Sequence, residues 1–163
     1  GSFKDGMDNL KRLDLVEVLN DIVLIQRKPF LGICLGMQLL CKTGYENGVS
    51  NGLGLIDAEV KKFDFSYQNG KRPKVPHVGW NSINFAKDED TFQGIANFSD
   101  FYFVHSYHIT NIKEHCTIAT TEHGYNFVSA IKKDNIIAFQ FHPEKSQEIG
   151  LKLLKNVVEY AKN

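Results

Sequence analysis

The chain has 163 residues, with 42% hydrophobic and 23% charged side chains and 19 Lys+Arg balanced by 19 Asp+Glu. That length is one domain, enough to bury roughly two-thirds of its unfolded surface, and the composition excludes a disordered polymer. The zero net charge gives no reason to expect nucleic acid or an anionic membrane as partner. No apolar run is long enough to span a bilayer, and no signal peptide opens the sequence. Three cysteines, Cys34, Cys41 and Cys116, form no CxxC pair. They point to a reduced, cytoplasmic setting rather than a disulfide framework.

In chain order, Asp14 and Glu17 read as a capping box. They lead a helix with Leu15, Val18, Leu19, Ile22 and Val23 at helical spacing. Pro29 ends it. Phe30 to Ile33 is wholly apolar, as expected of a strand buried on both faces of a parallel sheet, and Gly36 to Cys41 reads as the start of a helix. Glu46 to Gly54, with Asn47-Gly48 and Asn51-Gly52, is a turn-rich loop. It lacks the Gly-Lys-Ser/Thr ending of a phosphate loop. Strand-type segments follow at Glu59 to Phe63, Val78 to Phe85, Phe101 to Ile109, Cys116 to Thr121, Val128 to Ile131 and Ile136 to Phe141. Ser146 N-caps a closing amphipathic helix striped by Ile149, Leu153, Val157 and Ala161. This order implies a single α/β domain whose sheet has an antiparallel portion.

The chemistry concentrates in two places. Gly32-Ile33-Cys34-Leu35-Gly36 is the thiol form of a nucleophile elbow between strand and helix. Small residues two before and two after the nucleophile avoid clashes across the sharp turn. The helix N-terminus favours thiolate at Cys34, and the Leu35 N–H is free for an oxyanion. Cys41 and Cys116 lack that context and read as core residues. A thiol nucleophile needs a base. His142-Pro143-Glu144 directly follows the buried strand ending at Phe141, so His142 belongs beyond a strand's carboxyl end, as Cys34 does. Glu144 is close enough to orient its ring. His105 and His108, three apart in an extended run, are expected on opposite faces and share no metal. No metal or cofactor site is read. Trp80 and Lys145, taken alone, read as a core aromatic and a solvated charge.

Residues 29–40, Pro-Phe-Leu-Gly-Ile-Cys-Leu-Gly-Met-Gln-Leu-Leu, and 140–146, Gln-Phe-His-Pro-Glu-Lys-Ser, resemble the class I, triad-type glutamine amidotransferases. Val75-Pro76-His77-Val78-Gly79-Trp80-Asn81 and Phe103-Val104-His105-Ser106-Tyr107-His108 narrow the resemblance to the glutaminase subunits of imidazole glycerol phosphate synthases. The likeness implies a flavodoxin-like open mixed sheet flanked by helices, and one glutaminase domain over residues 1–163. It also implies a Cys34-His142-Glu144 triad that hydrolyses L-glutamine through a γ-glutamyl thioester, with Leu35 and Gly1 at the oxyanion site. Gly36, Gln38, Ser106 and Tyr107 would hold glutamine. His77, Gly79, Trp80, Asn81 and Lys145 would face a (β/α)₈-barrel cyclase, which receives the ammonia in histidine biosynthesis. Family members carry a β-α-β portion ahead of the residues seen here, so the domain is expected to be N-terminally truncated, with Gly1 as the last glycine of a Pro-Gly-Val-Gly-like strand. Two alternatives share the resemblance. One is a paralogous glutaminase feeding sugar amidation in surface-polysaccharide synthesis, and the other is a non-catalytic docking subunit.

Overall fold

The computed structural model describes residues 1–66, 72–86, 89–113 and 115–162. Among these, nine strands form one mixed sheet and two more form a separate ribbon. The chain opens with α1 (Phe3–Arg12), capped by Ser2, whose Oγ accepts from the Asp5 N–H. The expected first helix is shorter than its apolar pattern suggests. It is α2 (Leu15–Asn20), which passes into a wider π-helical turn over Asp21–Ile25. Asp14 does not cap it, because its backbone is left-handed (φ 55°) and its side chain makes no capping bond.

β1 (Phe30–Ile33) has the expected bounds and runs parallel to β11 (Ile136–Phe139), with Ile33 opposite Phe139. It is not buried on both faces. Among the described residues β1 is an edge strand, and Leu31 is 37% exposed. α3 is a single short helix, Leu35–Leu39, and Cys41, expected inside it, instead begins β2 (Cys41–Gly44). The turn-rich segment contains β3 (Ser50–Asn51), hairpinned onto β2, with Asn47 and Gly48 both at positive φ in the turn. β4 (Ile56–Lys62) continues the sheet.

The run expected as one strand from Phe101 to Ile109 is two. β7 (Asp100–His105) pairs with β5 (His77–Ser82) in the ribbon, whereas β8 (Tyr107–Thr110) joins the main sheet between β4 and β10 (Asn126–Lys133). Ser106 is the crossing point. β6 (Asn84–Phe85) and β9 (Thr117–Glu122) extend the far edge, and α4 (Gln147–Tyr160) closes the chain.

Strand alternation explains the two cores. Along β11, Ile136 and Ala138 face a cluster with Phe3, Met7, Met37 and Leu40 from α1 and α3. Ile137 and Phe139 face the opposite cluster, with Phe92, Phe101, Phe103, Phe141 and the Leu153 and Val157 stripe of α4. Both Cys41 and Cys116 are buried, as expected of core residues, and form no disulfide among the described residues. No helix among the described residues is long and apolar enough to cross a membrane.

Candidate active site

The parallel pairing of β1 with β11 puts both reactive segments at one end of the sheet. The Cys34 N–H donates to the Phe139 carbonyl at 2.7 Å, which locks the elbow to the strand that leads into His142. Cys34 has φ 49° and ψ −105°, a backbone that L-residues adopt only under constraint from their surroundings. Gly32 supplies part of that constraint. A Cβ there would lie 3.0 Å from both the Ala138 Cβ and the Met37 nitrogen. Gly36 differs from the steric expectation, since a Cβ at that position meets nothing within 4 Å. Its bare backbone leaves space instead of relieving a clash.

The His142 Nδ1 lies 2.6 Å from the Glu144 Oε1. The carboxylate accepts, so Nδ1 carries a proton and Nε2 is the nitrogen turned away from Glu144. The turn is held by three further bonds. The His142 N–H donates to the Tyr102 carbonyl at 2.8 Å, the Tyr102 N–H donates to the Ser146 Oγ at 3.0 Å, and the Ser146 hydroxyl donates to the His142 carbonyl at 2.6 Å. Ser146 therefore makes no side-chain cap for α4. It ties β7 to the His142 turn instead.

Among the described residues the sulfur meets the Val104 carbonyl at 3.9 Å and the Gln140 amide nitrogen at 3.6 Å, with the Leu35 N–H as a further donor. The His142 ring is not among them. Nucleophile and base share a rim without touching, a separation often seen in unliganded sites. Burial is the main influence raising the Cys34 thiol above its ordinary range, and the Glu144 carboxylate adds to it. The Leu35 N–H and the Gln140 amide oppose that rise. Burial thus works against the thiolate expected at a helix N-terminus, and α3 is only five residues long.

A cavity of about 230 Å³ brings together Gly1, Cys34, Leu35, Gln38, Ser106 and Tyr107. It is smaller than the ~300–1,000 Å³ typical of drug-sized ligands and suits an amino acid. Gln38 is buried, and its Nε2 donates to the Tyr107 carbonyl at 2.9 Å and to the Gln140 Oε1 at 3.1 Å. Gly36 does not line this cavity. A larger depression of about 530 Å³ lies elsewhere, near Asp57, Glu59, Asn111 and Lys113. Its polar groups pair with one another, Lys113 with Asp57 and Asn111 with Glu59, and it holds no nucleophile.

The β5–β7 ribbon beside the cavity has two unlike faces. Val78, Trp80 and Val104 point outward and are 55%, 48% and 37% exposed, so Trp80 is not a core aromatic. His77 is a further correction. It is buried, 5% exposed, and cannot present its ring to a partner. Its Nδ1 lies 3.0 Å from the His105 Nε2, and its Nε2 lies 3.1 Å from the Asn81 amide. The His105 Nδ1 donates to the Tyr107 carbonyl at 2.8 Å. The carbonyl can only accept, so both rings carry their proton on Nδ1 and the Asn81 amide donates to His77. His105 and His108 are not on opposite faces of one strand. They occupy two strands and both pack on Phe63, with ring centroids 5.2 and 4.3 Å away. Burial lowers His77 and His105 to about 3 and His108 to about 4. Gly79 has φ 129° with open space around it, and Lys145 is exposed.

The sequence profile of "Glutamine amidotransferase class-I" matches residues 6–160. The chain belongs to this family. Among curated relatives it is 51% identical over 156 residues to "Imidazole glycerol phosphate synthase subunit HisH 1" of Campylobacter jejuni strain 81-176, covering 96% of this chain and 75% of that protein. It is 47% identical to the HisH subunit of Methanocaldococcus jannaschii (98% and 76% covered) and 45% identical to that of Aquifex aeolicus (96% and 72%). A solved glutamine amidotransferase of Thermotoga maritima shares the fold, with a TM-score of 0.58 at 20% identity over 94% of this chain and 56% of that one.

The residues that sequence reasoning missed are Gln140, Val104 and the His105 ring. Gln140 stood inside the quoted Gln-Phe-His-Pro-Glu segment but read only as part of a strand. The Val104 contact is made by a backbone carbonyl, which no side-chain pattern reveals.

Proposed function

We propose that this chain is the glutaminase subunit of an imidazole glycerol phosphate synthase, working in the cytoplasm in histidine biosynthesis. Cys34 attacks the side-chain amide of L-glutamine, His142 protonates the departing ammonia and later activates water, and Glu144 holds the ring. The observation that carries this reading is the rim itself. A strained cysteine is bonded through its N–H to the strand that ends in a carboxylate-paired histidine, and both lie beside an amino-acid-sized cavity.

In the resting site the thiol is turned to Val104. Arming it requires rotation toward the His142 Nε2, which receives the proton as the C–S bond forms. The Leu35 N–H, with the backbone at Gly1, then faces the oxyanion of the tetrahedral intermediate. Gln38, Ser106 and Tyr107 line the place for the amino-acid end of glutamine. The outward face of the ribbon, with Val78, Gly79, Trp80 and Val104, is the docking surface for a (β/α)₈-barrel cyclase, and Lys145 extends it. Val104 belongs to both this face and the cavity wall, so a partner seated there covers the site. The HisH naming of the relatives favours this role over sugar amidation, and the assembled rim favours an enzyme over a docking subunit.

The test is glutamate release from glutamine by the full-length protein, with and without a barrel cyclase and its nucleotide ligand. Wild type is expected to turn over faster with the cyclase. Cys34→Ala is expected to lose at least about 10³-fold in both settings. Turnover by the alanine variant equal to wild type would overturn the reading.

A further inference from the structure

We propose that Gln140 is a positioning residue for the nucleophile: its side-chain N–H, aimed by Gln38, holds the Cys34 sulfur and is the side-chain contact that strengthens, beside the Leu35 backbone N–H, when the thiol loses its proton. The inference rests on Cys34 being the nucleophile, and it adds a fourth side chain to the three that define the triad.

Gln140 is fully buried and Gln38 nearly so, so each amide must find its partners inside the protein. The order of bonds removes any ambiguity in their orientation. The Tyr107 carbonyl only accepts, so the Gln38 nitrogen faces it at 2.9 Å. The same nitrogen donates its second hydrogen to the Gln140 Oε1 at 3.1 Å. With its oxygen committed there, Gln140 presents its nitrogen to the sulfur at 3.6 Å. Its backbone is anchored as well, because the Gln140 N–H donates to the Ser129 carbonyl at 2.9 Å. A fixed donor is therefore built into the wall behind the nucleophile.

The other sulfur contact has the opposite sense. The Val104 carbonyl accepts from S–H, an interaction available only to the thiol. Once the proton leaves, that oxygen repels the sulfur while the Gln140 N–H attracts it more strongly, since a donor favours the charged form. Val104 thus stabilises the resting state and Gln140 the reactive one. Other ionisable groups around the site are Glu144 and His142 on the turn after β11, His105 on β7, Tyr107 on β8, and Glu46 at the cavity mouth. None of these replaces a neutral donor held against the sulfur from within the core.

The experiment is the pH dependence of iodoacetamide alkylation at Cys34 in the folded full-length chain, mapped by mass spectrometry. Cys41 and Cys116 are buried and serve as unreactive internal controls. Gln140→Met keeps the volume and removes the donor. Its alkylation midpoint is expected about one pH unit higher than wild type, an about ten-fold slower reaction at any pH below the midpoint. Gln140→Glu replaces donor by acceptor and should shift it further. In the glutaminase assay, Gln140→Met is expected to lower kcat with KM nearly unchanged. A folded Gln140→Met with the wild-type alkylation profile overturns the proposal. Should Gln140→Met lose its cooperative thermal transition, Gln38→Met is read instead. It frees the Gln140 amide to turn and should shift the midpoint in the same direction by less, and no shift overturns the proposal equally. Alkylation needs no turnover, so this outcome is separate from the Cys34→Ala result that decides the function itself.

Discussion

Two neighbouring regions use histidine in opposite ways. At the rim, His142 has a carboxylate on one nitrogen and leaves the other unspent. Behind the ribbon, His77, His105 and His108 are buried among Phe63, Phe103 and Phe127 and are held neutral. A carboxylate partner supports an imidazolium when one forms, whereas at His105 the Tyr107 carbonyl favours the charged ring too weakly to offset burial. The same side chain is a proton carrier in one place and a packing element with directed hydrogen bonds in the other. The neighbours decide which.

Three changes sharpen or break that division. The largest effect is expected from Glu144→Gln, which keeps the shape but allows the wrong tautomer of His142. Glutaminase turnover should fall by about 10³–10⁴, the range expected when a triad orienter becomes an amide. Folding stability should stay within about 0.5 kcal/mol, because the group is a partly exposed surface residue. Equal loss of stability would mean that the rim is structural after all.

Acid tests the buried set. The unfolded chain binds protons on these histidines near the ordinary value of 6.5, whereas the folded chain refuses them until about 3 for His77 and His105 and about 4 for His108. Their contribution is fully present above pH 6.5 and is lost as pH falls toward those values. Each such histidine adds a slope of about 1.4 kcal/mol per pH unit in that window. Urea titrations from pH 7 to 4.5 should show the decline, and a flat profile would break the contrast between the regions.

The smallest effects come from the elbow glycines. Gly32→Ala forces contact with Ala138 and the Met37 backbone and should cost about 1–3 kcal/mol in urea unfolding. Gly36→Ala meets open space and should cost well under that in the same urea unfolding measurement.

The elbow and the His142 turn were legible because short-range rules govern them: an apolar strand, a glycine at the turn and a proline after the histidine. The edge position of β1 was not, since four apolar residues in a row do not reveal how many neighbours pair with them. α1 was overlooked because Phe3 and Met7 alone carry its buried face among mostly polar residues, although Ser2 and Asp5 already spelled a cap. The split at Ser106 is a tertiary event. Residues on both sides of it favour strands, and only the partners available to each half send them to different sheets. The resemblance implies an interface position for His77, yet alternation along β5 turns it inward, opposite the exposed Val78 and Trp80.

The file of bonds from Asn81 through His77 and His105 to the Tyr107 carbonyl runs one way only, since its last member can give nothing back. An aspartate in place of Asn81 would set an oxygen lone pair against the lone pair of the His77 Nε2. Reversing every proton along the file would cure that clash only by creating another, ring nitrogen against carbonyl, at Tyr107, where Gln38 also takes its bearing. The carbonyl on the wall of the glutamine cavity therefore dictates, two rings away, that position 81 must offer a donor.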